Sequence, residues 1–192
     1  STRVRSSAAS DVYKRQILLC CAASLGAKVK LPALVGDNMI LQQQTEVKLW
    51  GTAAPKAEVR VTPSWNGQTT TCRADKDGRW LLAVKTPAAG YTPYEITFDD
   101  GEKTTLTNVL IGEVWLASGQ SNMEMPLKGF AGCCIMNGVD DIIASAENKG
   151  VRMFTVPKHQ TYEPQTDCEG SWNLSSLSLI HISEPTRHSL IS

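Results

Sequence analysis

The chain has 192 residues, room for one ordinary domain or a small domain with part of another. With 42% hydrophobic and 20% charged residues it has the balance of a chain that folds around a core, not of a disordered one. Nineteen basic residues offset nineteen acidic ones without any basic run, which argues against a nucleic-acid partner, and no apolar stretch reaches the roughly 18 residues that suggest a membrane span.

The ends differ in composition from the middle. Residues 1–16, ending in DVYKRQ, and residues 176–192, containing SLIHISEPTR, resemble translated sequencing-adapter sequence, and both are set aside from fold reasoning. Residues 17–27 form a short apolar run that ends in small residues and follows Lys14 and Arg15, the layout of a secretory signal with cleavage near Ala27. The expectation is an exported protein, periplasmic or extracellular. Without residues 1–27 and 177–192, fourteen basic residues face seventeen acidic ones, so the expected mature segment is mildly acidic.

Residues 28–108 read as an all-β sandwich domain. Met39 to Leu41 and Val47 to Trp50 are short apolar runs, and Glu58 to Thr62 alternates polar with apolar as a half-buried strand does. Strand-like stretches follow over Gln68–Ala74, Trp80–Lys85 and Tyr94–Phe98. The pairs Asn66-Gly67, Asp77-Gly78 and Asp100-Gly101 supply the positive φ angles of hairpin turns, so the expected pairing is antiparallel. Residues 109–175 read as the truncated start of an α/β domain. Val109 to Ala117 is apolar nearly throughout, as a strand buried on both faces of a parallel sheet would be. Gly138–Asn148 suits a helix with Val139, Ile142, Ile143 and Ala146 on one stripe. Val151 to Val156 suits a second buried strand, completing a βαβ unit.

The chemistry concentrates where the expected strand meets the helix-forming region, at Gly119-Gln120-Ser121-Asn122-Met123. Open α/β sheets bind ligands at the carboxyl ends of their strands. A serine there, entering a helix, has backbone N–H groups and a helix dipole beside it that can stabilise an oxyanion. Gly119 permits a sharp turn. Spacing alone favours a plainer role, because Ser121 and Glu124 have the S-x-x-E pattern of a capping box. The motif also departs from the Gly-x-Ser-x-Gly elbow, since Met123 stands at the second glycine.

The longer block Gly112-Glu113-Val114-Trp115-Leu116-Ala117-Ser118-Gly119-Gln120-Ser121-Asn122-Met123-Glu124-Met125-Pro126-Leu127 resembles the nucleophile block of the sialate O-acetylesterase family, within the SGNH hydrolases. Lys30-Leu31-Pro32, Asp37-Asn38-Met39-Ile40-Leu41-Gln42-Gln43, Trp50-Gly51 and Val151-Arg152-Met153-Phe154 match as well, so the resemblance covers roughly residues 29–172. It implies a flavodoxin-like α/β domain and a serine esterase that removes acetyl groups from sialic acid or related glycans. It makes Ser121 the nucleophile and its own N–H an oxyanion donor, with Gly119, Gln120 and Asn122 supporting the turn. No cofactor or metal is implied, because serine acyl transfer needs none. The family's late Asp-x-x-His block has no counterpart here: His159 lacks the aspartate, and His181 and His188 lie in the adapter-like tail. A fragment without its base is expected to be inactive. Two alternatives stay open, an acetylxylan-type esterase and a non-catalytic carbohydrate-binding module over residues 29–108.

Other candidates carry less. Asp75-Lys76-Asp77-Gly78 resembles the start of a calcium loop but lacks its closing glutamate, so a turn is expected. Of the six cysteines, Cys72, Cys133, Cys134 and Cys168 lie beyond the signal-like run, where a bridge from Cys168 to Cys133 or Cys134 and buried free thiols are both open. Trp50, Trp65, Trp80, Trp115 and Trp172 are expected in the core, with sugar stacking as the other role.

Overall fold

The computed structural model describes residues 28–119, 126, 129–130, 132–133, 135–146, 150–158 and 161–175. These residues are mostly β-sheet, with one short helix. The strands are β1 (Ile40–Gln42), β2 (Glu46–Thr52), β3 (Glu58–Pro63), β4 (Thr70–Arg73), β5 (Arg79–Lys85), β6 (Gly90–Asp99), β7 (Lys103–Gly112), β8 (Arg152–Phe154) and β9 (Trp172–Leu174), and the helix is α1 (Gly138–Ala146). Five strands form one sheet in the order β1-β7-β6-β3-β4, while β2 pairs with β5 and β8 with β9 in two separate ribbons.

Alternation along the strands builds the core. Trp80, Leu82 and Val84 of β5 point inward while their neighbours face solvent, and Val59 and Val61 of β3 do the same. Leu49 on β2 stands opposite Leu82 in the register of the ribbon. The inward residues of the ribbon meet Ile96 and Phe98 of β6 and Val109 and Ile111 of β7 in one continuous cluster. Trp80 and Phe98 span the two layers with ring centroids 5.9 Å apart. Gly51 lets Trp80 lie flat here. A methyl group at Gly51 would stand 2.4 Å from the Lys30 carbonyl oxygen and 2.9 Å from the Trp80 ring. Gly51→Ala is therefore expected to destabilise by about 1–3 kcal/mol, the range for overpacking, towards its upper end because one obstacle is backbone. A urea titration followed by tryptophan fluorescence measures it, and an unchanged midpoint would contradict this packing.

Two of the three expected hairpins are present. Asn66-Gly67 joins β3 to β4, and Asp100-Gly101 joins β6 to β7, with Gly67 and Gly101 at positive φ. Asp77-Gly78 is a turn of another kind, because β4 and β5 belong to different sheets and the turn carries the chain between them. Asp75 Oδ1 accepts the N–H groups of Asp77 and Arg79, both at 2.8 Å, and Ala53 N–H donates to Gly78 O at 2.8 Å. A dipeptide that supplies positive φ specifies the turn and leaves the partner strand open.

Four further expectations are corrected. First, pairing is not all antiparallel: β1 runs parallel to β7, with Ile40 opposite Leu110. Second, the buried strand expected over Val109–Ala117 is the second half of β7, which begins at Lys103 and ends at Gly112. Beyond it Val114, Trp115 and Leu116 are exposed, Trp115 at 87%, so Trp115 is not a core residue. An apolar run without period does not mark where a strand begins or stops. Third, of the stripe on α1 only Ile142 is buried, with Val139 and Ile143 exposed and the Ala146 side chain outside the described residues. Fourth, β8 is half-exposed and pairs antiparallel with β9, so no βαβ unit joins β7 to β8 among the described residues. The β8–β9 ribbon is seated on the turn before β1. Trp172 Nε1 donates to Leu34 O at 2.9 Å, Asp167 Oδ1 accepts Ala33 N–H at 2.9 Å, and Phe154 meets Trp172 edge-on at 5.4 Å.

Candidate active site

The site begins where β7 ends. Ser121, Gln120 and Asn122 lie outside the described residues, whereas Gly119 is described and exposed. What the structure defines is the track that delivers the chain to them. Residues 37–43 are fastened alongside residues 107–114 by contacts about seventy positions apart in sequence.

The fastening starts at two asparagines in left-handed conformation, Asn38 at φ 64° and Asn108 at φ 57°. Asparagine tolerates this region better than other side-chain-bearing residues. Asn108 Nδ2 donates to Asn38 Oδ1 at 2.7 Å, and Asn108 Oδ1 accepts from Arg152 at 3.1 Å. Burial holds the Arg152 guanidinium below its ordinary pKa. Beside them Asp37 Oδ1 accepts the backbone N–H of Thr107 at 2.7 Å and its hydroxyl at 3.1 Å. Next comes the parallel ladder of β1 and β7.

The last contact lies at the strand ends. Glu113 accepts from Gln42 Nε2 at 2.8 Å and from Gln43 Nε2 at 2.6 Å. Gln42 Oε1 in turn accepts the N–H of Val114 at 2.9 Å, and Gln43 Oε1 accepts that of Ala89 at 2.9 Å. The hydrogen bonds from Gln42, then Gln43, hold the Glu113 carboxyl below its ordinary range. A depressed folded-state pKa makes this contribution fully present above the unfolded value and lost as pH falls through the folded one. Protection of the Val114 amide, corrected for intrinsic exchange, is expected to be flat above the ordinary carboxylate range and to fall below it. Hydrogen exchange across acidic pH tests this, and protection that stays constant through the acid limb would contradict it.

Sequence reasoning missed this network, although both blocks that build it were in view as separate landmarks. The available signal was a carboxylate placed directly after a buried strand, opposite two consecutive glutamines at the end of another. The cysteines do not form the bridge considered above, since Cys72, Cys133 and Cys168 are free thiols. Burial pushes the Cys72 thiol up, and burial followed by the nearby Asp167 charge does the same at Cys168. Away from the track, a shallow groove of about 210 Å³ is bordered by Glu46, Asn66, Gln68, Thr70 and Lys85. No described helix is long and apolar enough to cross a membrane.

Comparison with known proteins places these features in context. No family model matches the chain. Sialate O-acetylesterase of Rattus norvegicus is 28% identical over 172 residues, covering 82% of this chain and 31% of the relative. Sialate O-acetylesterase of Homo sapiens is 28% identical over 162 residues, covering 79% of this chain and 30% of the relative. Among solved structures, a carbohydrate acetylesterase from Xanthomonas citri superposes with a TM-score of 0.69 at 33% identity, over 78% of this chain and 33% of that one. The chain thus spans about a third of the length of these relatives.

Proposed function

We propose that this chain, which belongs to the sialate O-acetylesterase family, is the N-terminal part of an exported serine esterase that removes O-acetyl groups from sialic acid or related glycans. The observation that carries this reading is the block from Gly112 to Leu127, which begins at the last residue of β7 in a chain whose relatives bear that activity in their names. In this reading the region through the end of β7 at Gly112 is a β-sandwich domain, and the sequence from Glu113 to Ser175 opens an SGNH-type α/β domain. Ser121 attacks the acetyl carbonyl, its own N–H helps to hold the oxyanion, and water later frees the acetyl group from the enzyme. None of the three histidines sits in an Asp-x-x-His block, so the reading assigns the base to sequence beyond this chain and expects the chain by itself to release no acetate.

Acetate release by the full-length gene product from O-acetylated sialic acid and from acetylated xylan, offered in competition, tests the substrate class. Preference for the sialic acid supports the reading. Preference for xylan moves it to the acetylxylan-type alternative, and release from neither overturns it.

A second reading has the groove beside Gln68 as its observation. Amide, carboxylate and ammonium groups around a shallow cleft are suited to sugar hydroxyls. Glycan binding by this chain that weakens on Gln68→Ala would support a binding role for the β region, and no binding would leave it a structural one.

A further inference from the structure

The amide orientations around Glu113 are fully determined. Gln42 Oε1 is committed to the Val114 N–H and Gln43 Oε1 to the Ala89 N–H, each at 2.9 Å. Neither glutamine can turn over without abandoning a backbone donor, so each must present its Nε2 to residue 113. The two donors reach different atoms of residue 113, Gln42 at Oε2 and Gln43 at Oε1, so the geometry uses an acceptor at both positions. A carboxylate has both, whereas a glutamine amide offers one oxygen and one further donor. The network therefore specifies glutamate at 113 for a reason that size and exposure do not supply.

Its position gives the network a role. The Val114 N–H is the first backbone donor beyond Glu113, and Gln42 is the last residue of β1. The Gln43 N–H also donates to Gly112 O at 2.9 Å, so backbone and side chains together tie the end of β1 to the exit of β7. Seven residues lie between Glu113 and Ser121, and of these Val114, Trp115 and Leu116 are exposed rather than packed. Among the described residues of this stretch, the hydrogen bonds at 112–114 are what fix its direction.

We propose that Glu113 is a positioning residue for Ser121, and that β1 sets the course of the nucleophile-bearing segment through Gln42 and Gln43. The proposal rests on the reading of Ser121 as nucleophile. On it the β region is a working part of the esterase and not a separable appendage.

A charge-swapped pair tests it. In Glu113→Gln one glutamine N–H faces an amide N–H₂, and the clamp is broken by a single atom exchange that conserves volume. Combining it with Gln42→Glu restores every bond. The new carboxylate keeps one oxygen on the Val114 N–H and offers the other to the amide nitrogen at 113, whose oxygen accepts from Gln43. Hydrogen exchange at Val114 in the full chain reads the clamp directly, and turnover of an acetyl ester by the full-length gene product reads its consequence. Glu113→Gln is expected to raise exchange at Val114 and to lower kcat roughly tenfold or more, as small misplacements of a reacting group do. The swapped pair is expected to recover both, which a general loss of stability or surface charge would not. Unchanged exchange in Glu113→Gln, or faster exchange with unchanged kcat, would overturn the proposal, as would failure of the pair to recover either. If Ser121→Ala retains turnover, the esterase reading has failed, and the exchange measurement still decides whether the clamp exists.

Discussion

Phe98→Ala is expected to destabilise the protein by about 3–5 kcal/mol, the range for removing a large buried aromatic side chain. Phe98 is fully buried on β6, which lies third of five in its sheet, with Val61 opposite on β3 and Thr104 on β7. Its ring also meets Trp80 from the ribbon. Truncation thus opens a cavity between two layers that no exposed side chain can fill by collapse. A loss of this size is a large fraction of the total stability of about 5–15 kcal/mol typical of a domain. Phe98→Leu, which keeps most of the volume, is expected to lose much less. Denaturant unfolding of the three proteins measures the series, and a cost below about 1 kcal/mol for the alanine would mean that sheet and ribbon do not share one core.

Ser121→Ala is expected to reduce kcat/KM of the full-length gene product by at least about 1,000-fold, as loss of an acyl-transfer nucleophile does. That corresponds to roughly 4 kcal/mol of transition-state stabilisation. The competing role for Ser121 is the cap of a helix in the pattern it forms with Glu124. Loss of a cap costs about 1 kcal/mol of stability and no selective chemistry. Activity and melting temperature measured on the same preparation separate the two. A nucleophile gives collapsed turnover with a small thermal shift, and a cap gives the thermal shift with turnover largely kept.

The β region was legible because its cues are local. Alternation at Glu58 to Thr62 and the strand-like run from Trp80 to Lys85 are local signals, and the structure keeps those strands at β3 and β5. The turns at Asn66-Gly67 and Asp100-Gly101 are equally local. What escaped is what depends on partners distant in sequence. The parallel pairing of β1 with β7 joins residues about seventy positions apart, and nothing within either strand announces it. The same holds for Gln42, Gln43 and Glu113, whose meaning appears only when the two strand ends lie side by side. The apolar run from Val109 to Ala117 misled for another reason. Hydrophobicity records what a segment would bury, and Trp115 and Leu116 are exposed among the described residues. The helix on α1 was found from its period, but which of its apolar residues are buried depends on what packs against it. The candidate nucleophile was legible only through the long block around Ser121, since the serine's immediate spacing favours a cap.

The central claim is that Ser121 carries the acetyl group during turnover. Mass spectrometry of the full-length gene product, acid-quenched while turning over an acetyl ester, tests it most directly. The account predicts an acetyl adduct, about 42 Da by general chemistry, on the peptide containing Ser121, in keeping with covalent catalysis by an activated serine. Turnover with the adduct on another residue, or with none accumulating even when water is replaced by a poorer acceptor, would contradict it.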